Sequence, residues 1–103
     1  MIGIDIVHLN RLRLTDSFLS KVLTDEEKKE YREKKTDKKR REYLGGRFAA
    51  KEAIFKATQD PKYLSYAVLY DEDKRPYVKD HPEIEVSISH DGDYAVAIAE
   101  VKR

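Results

Sequence analysis

The chain has 103 residues, no cysteine and 40% charged residues with a net charge of only +1. That length suits one domain over residues 1–103 with a limited core, and the missing thiols exclude a disulfide framework or a thiolate metal site. No stretch approaches the roughly 20 apolar residues of a membrane span, and no basic segment leads into an apolar run at the N-terminus, so a cytoplasmic protein without membrane contact is expected.

Ile2, Ile4 and Ile6 alternate with Gly3, Asp5 and Val7, which predicts a strand. Aspartate is depleted in strands, so Asp5 is an anomaly in an apolar run. It is either an edge residue turned to water or a functional carboxylate. Gly3, on the same face, leaves room for a ligand or another backbone. Asp16 or Ser17 is placed to cap a short helix through Phe18, Val22 and Leu23. Thr24 with Glu27 has the spacing of a capping box and opens a further, basic helix. From Lys28 to Arg41 there are nine Lys or Arg residues against three acids. Such a run is a solvated helix face or a surface for a phosphate-bearing partner.

A longer helical pattern covers about Arg40 to Ala57, interrupted at Gly45-Gly46 and followed by Pro61. On a helical wheel of about 100° per residue, Glu52 falls within roughly 40° of Phe48, together with Leu44 and Phe55. A carboxylate inside an apolar stripe is costly unless it is paired or binds a metal. Lys56, at i+4, offers a plain helix pair as the alternative. Two carboxylates so placed, Asp5 and Glu52, suggest a hard-cation site that waters and substrate phosphates would complete. Beyond Pro61 short strands are expected: Tyr63 to Tyr70, Pro76 to Val78, and two alternating runs around Ile84–Ile88 and Tyr94–Ile98, joined through His90-Asp91-Gly92-Asp93. Ser89 and His90 end the third of these strands at a loop mouth, where both could donate to phosphate oxygens. As strand neighbours they point to opposite faces and make no nucleophile pair. Asp91-Gly92-Asp93 lacks the remaining ligands of a calcium loop. The expected class is α+β, with an N-terminal strand packed against helices and an antiparallel meander.

Three segments in order resemble the holo-acyl-carrier-protein synthase family, the short bacterial type of 4′-phosphopantetheinyl transferase. They are Gly3-Ile4-Asp5-Ile6-Val7 with Arg11, then Gly46 to Ala53 with Lys56-Ala57, then Ser87-Ile88-Ser89-His90 with Tyr94-Ala95. The resemblance implies that fold, and an enzyme that moves the phosphopantetheine arm of coenzyme A onto the acyl carrier protein of fatty acid biosynthesis. It implies magnesium as the cofactor, held by Asp5 and Glu52, with Lys56 on the pyrophosphate of coenzyme A. Ser89, His90 and Arg47 are implied as further coenzyme A contacts. Arg11, Phe18 and Lys21 are implied as the docking residues for the acidic carrier protein. A homotrimer with active sites between neighbouring subunits is implied as well. Two departures stand out: His8 occupies a position that is commonly acidic, and Thr58-Gln59-Asp60-Pro61 replaces a glycine-rich loop. The rival reading is a small nucleic-acid-binding domain using the Lys28–Arg41 face, which leaves Asp5 and Glu52 unexplained and lacks an RNA-binding signature.

Overall fold

A computed structural model of the chain describes residues 1–102. Strand β1 (Ile2–His8) leads through a 3-10 turn (Leu9–Arg11) to helices α1 (Asp16–Val22), α2 (Asp25–Glu33) and α3 (Asp37–Thr58). A second 3-10 turn (Tyr63–Ser65) precedes β2 (Val68–Tyr70), β3 (Pro76–Val78), β4 (Ile84–Asp91) and β5 (Tyr94–Val101). The strands form an antiparallel sheet in the order β1-β5-β4 and a separate antiparallel β2-β3 pair. The expected α+β class holds.

Small side chains decide how the sheet meets α3. Ala49, Ala50, Ala53 and Ala57 of the helix are buried, as are Ala95, Ala97 and Ala99 of β5. Gly3, Asp5 and Val7 pair with Ala99, Ala97 and Ala95 and share their face of the sheet. A Cβ on Gly3 would lie 2.0 Å from the backbone oxygen of Ala53, so helix and strand touch there backbone to backbone. Gly3→Ala is expected to cost about 1–3 kcal/mol or more by overpacking, read as a lowered midpoint in thermal denaturation; an unchanged midpoint would show that α3 is free to shift. The other face of β1 carries the isoleucines. Ile2, Ile4 and Ile6 are 62%, 58% and 64% exposed, beside exposed Tyr94 and Ile98.

Several boundaries depart from expectation, each for a local reason. Thr15 caps α1, accepting from Phe18 N, where Asp16 or Ser17 was expected. The capping box at Thr24 forms with Glu27 as expected. The basic run does not lie on one helix: α2 ends at Glu33 and Thr36 caps α3, which splits the run. Gly45-Gly46 does not break α3, because the glycines make room for neighbours. A Cβ on Gly45 would meet the Leu9 side chain at 2.2 Å, and one on Gly46 would meet Ile88 at 3.0 Å. Residues Tyr63–Ser65 are 3-10 and not strand, which shortens the expected Tyr63–Tyr70 strand to Val68–Tyr70. His90 belongs to β4 proper, and the hairpin turns on Gly92 (φ 57°) and Asp93, with Asp91 opposite Tyr94.

The β2-β3 pair is tied to the helices by side chains. Val68 N–H donates to Glu27 Oε2 (2.8 Å) and Tyr70 N–H to Glu30 Oε2 (3.0 Å). Arg47 Nε donates to the Val68 carbonyl (2.8 Å). Acceptors three residues apart on α2 thus stand where a neighbouring strand would. Behind them Lys51, fully buried, donates to Val22 O and to Glu27 Oε1, both at 2.5 Å.

Candidate active site

β1, the turn after it, α1 and the middle of α3 enclose a cleft of about 640 Å³. Asp5 reaches it from the helix-facing side of β1, and Glu52 from the half-buried flank of α3, one turn beyond Phe48. The Thr15 cap sets α1 so that Phe18 and Lys21 line the same space, and Arg11 closes it from the 3-10 turn. Five residues expected from sequence to work together, Asp5, Glu52, Arg11, Phe18 and Lys21, are therefore gathered in one place.

Lys56 makes the link between the two carboxylate-bearing elements. Its Nζ lies 3.1 Å from Asp5 Oδ1 and donates to the Ile4 carbonyl at 2.9 Å. The helix-pair alternative for Glu52 thus gives way to a pairing of Lys56 across to β1. Glu52 Oε1 instead accepts a hydrogen bond from the Tyr63 hydroxyl. Burial, then the Glu52 hydrogen bond and charge and the Asp5 charge, push the Tyr63 hydroxyl up to about 12. That both acids act on one phenol places their charges in a common neighbourhood. Among the described residues no three His, Cys, Asp or Glu side chains gather as a metal-binding group. Two hard oxygen donors on one cleft, Asp5 and Glu52, with Asp5 already paired to a cation, Lys56, suit an ion that takes its other ligands from water and substrate.

The other expected residues lie elsewhere in the chain. His90 and Arg47 line a second cleft of about 240 Å³, with Lys34, Lys39 and Tyr70. The His90 Nδ1 is 3.7 Å from Glu42 Oε2. The Arg47 guanidinium is buried between the Tyr43 and Tyr70 rings, 4.3 Å from each centroid. Its Nη2 stands 3.5 Å from Glu30 Oε1 without forming a hydrogen bond. Arg47 is thus first a clamp on β2, through Val68. Ser89 is exposed and pairs with Val96, while its neighbour His90 pairs with buried Ala95.

Sequence reasoning missed Tyr63 and the Glu27–Lys51 pair. Burial pushes the Lys51 ammonium down, with the Glu27 carboxylate opposing. A signal was present: Arg47 and Lys51 stand i, i+4 among the alanines of α3, so two cations had to enter the core together.

A model of the 4′-phosphopantetheinyl transferase superfamily matches residues 1–99. The holo-[acyl-carrier-protein] synthase of Mycoplasma capricolum is 39% identical over 100 residues, covering 95% of this chain and 90% of that protein. A crystal structure of a holo-(acyl-carrier-protein) synthase from Bacillus anthracis in complex with CoA (3′,5′-ADP) superposes with a TM-score of 0.82 at 34% identity, covering 95% of this chain and 91% of that one. The holo-[acyl-carrier-protein] synthase of Neisseria meningitidis gives a TM-score of 0.87 at 25% identity over 99% and 97% of the two chains. Fold and sequence agree, and the chain belongs to the 4′-phosphopantetheinyl transferase superfamily.

Proposed function

We propose that the chain, as one domain, is a holo-[acyl-carrier-protein] synthase that transfers the 4′-phosphopantetheine arm of coenzyme A to a serine of apo-acyl carrier protein. The observation that carries this is the meeting of Asp5, Glu52 and Lys56 beside a cleft rimmed by Arg11, Phe18 and Lys21. The serine oxygen attacks the β-phosphorus of coenzyme A, the bond to the departing adenosine 3′,5′-bisphosphate breaks, and the serine proton leaves to a base in the cleft. Such transfers depend mainly on positioning and on neutralising charge. Asp5 and Glu52 would hold a magnesium ion, which when bound neutralises charge on the pyrophosphate oxygens. Lys56, paired with Asp5, would contact the same pyrophosphate. The cations of the second cleft, with His90, suit the remaining phosphates of coenzyme A. Arg11 and Lys21, exposed at the rim, suit an acidic carrier.

Self-assembly into a homotrimer would explain two features at once. The sheet face of Ile2, Ile4, Ile6, Tyr94 and Ile98 is exposed in one chain, and patches of this kind mark interfaces. The second cleft and Ser89 lie apart from Asp5 in one chain, so a neighbour's copy would complete each active site. Replacing both Ile4 and Ile6 by Glu is expected to convert the assembly to monomers in light-scattering chromatography and to abolish turnover together. No helix among the described residues is long and apolar enough to cross a membrane, which suits the cytoplasmic setting that coenzyme A and carrier protein require. The basic residues 28–41 are divided between two helices, and some of them line the second cleft, which favours phosphate groups of coenzyme A over a nucleic acid. The deciding experiment mixes the protein with apo-acyl carrier protein, coenzyme A and Mg2+. Mass spectrometry should show the carrier gaining one phosphopantetheine, and chelator should abolish the gain. A carrier left unmodified under these conditions would overturn the reading.

A further inference from the structure

Tyr63 follows the Thr58-Gln59-Asp60-Pro61 segment, beyond Lys62, and it is built in place from several sides. Gln59 ends α3 in the left-handed region (φ 67°) and turns the chain back toward the cleft. Asp60 then staples the following turn: its Oδ1 accepts from Lys62 N–H at 3.0 Å and its Oδ2 from the Tyr66 hydroxyl at 2.8 Å. The Tyr63 ring stands edge to face with Phe48 at 6.0 Å between centroids, and Phe48 stands edge to face with Phe18 at 5.4 Å. Each such contact restricts ring orientation. The hydroxyl so aimed donates to Glu52 Oε1.

A glutamate side chain has three rotatable bonds, and α3 alone does not fix where its carboxylate points. A carboxylate that binds a metal is usually held by a hydrogen bond from behind, and loss of that partner typically weakens metal binding by about 10–100-fold. A neutral phenol suits this task better than an ammonium group, because it orients the carboxylate without competing for the cation's charge.

We propose that Tyr63 is a positioning residue, whose hydroxyl holds the Glu52 carboxylate in the orientation that receives a divalent cation. This rests on the reading of Glu52 as a metal-holding carboxylate. The test uses Mn2+ with coenzyme A and no carrier protein, so that binding is read without turnover, from the loss of the free Mn2+ paramagnetic resonance signal. Tyr63→Phe is expected to raise the Mn2+ dissociation constant about tenfold, the low end of the usual range, with an unchanged thermal midpoint. In a Glu52→Gln background the same change is expected to add nothing further. In the turnover assay the Tyr63→Phe deficit is expected at limiting Mg2+ and to disappear at excess Mg2+, which a packing defect would not do. A folded Tyr63→Phe protein that binds Mn2+ as tightly as the wild type overturns the proposal. A wild-type protein that binds no Mn2+ beside coenzyme A overturns the underlying reading of Asp5 and Glu52 instead.

Discussion

Lys51→Met is expected to destabilise the fold by about 3–5 kcal/mol, because it leaves the Glu27 carboxylate buried without its counter-charge. Both side chains are fully inaccessible to solvent, and their contact is the tightest charged pairing in the core. A domain of this size has about 5–15 kcal/mol of total stability, so one substitution consumes a large part of it. Urea unfolding followed by circular dichroism should show the midpoint falling sharply, or the variant unfolded without denaturant. Removing both charges with Glu27→Leu and Lys51→Met should restore only part of the loss. Pairs of buried charges can often be replaced by apolar residues without cost, but Glu27 also accepts the backbone N–H groups of Thr24 and Val68, each at 2.8 Å. Those donors would be left unsatisfied, at about 1–3 kcal/mol each. A Lys51→Met protein as stable as the wild type would remove the pair from the list of structural determinants.

Asp5→Asn and Glu52→Gln are each expected to lower kcat/KM for carrier modification by about 10²–10³-fold, the range found when one preorganised electrostatic group is lost at a transition state. The fold should survive both changes. Asp5 and Glu52 are partly exposed to the cleft, and the substituted amides keep the size and an oxygen that accepts from Lys56 or Tyr63. Steady-state rates at saturating coenzyme A, alongside thermal melts, separate the two effects. Turnover that is undiminished in either variant would eliminate that carboxylate from the chemistry.

Much of this site could be read from the chain, and the reason is periodicity. Alternation in β1 put Asp5 and Gly3 on one face, and Gly3 does meet a backbone there. The helical wheel put Glu52 beside Phe48, and both line the cleft. Periodicity reports which residues share a face, but not which partner the face meets. Lys56 is four residues from Glu52 and yet pairs with Asp5, because the strand passes closer to its ammonium than its own helix neighbour does. The 3-10 turn at Tyr63 escaped notice for a related reason. Tyrosine, leucine and serine fit a strand, and only the Asp60 staple and the distant Glu52 acceptor favour the turn. Gly45-Gly46 looked like a break because a helix alone is weakened by glycine. Packing of Leu9 and Ile88 against that surface offsets the loss.

The carboxylates that receive the amides of Val68 and Tyr70 make the small β2-β3 ribbon dependent on α2. Its outer edge has no strand to follow if those acceptors leave; the acceptors hold their places through Lys51 and Tyr43, while Arg47 grips the Val68 carbonyl directly. Ribbon and helix should therefore open in a single event, with amide protons at 68 and 70 exchanging together with those of α2 while the β1-β5-β4 sheet stays closed.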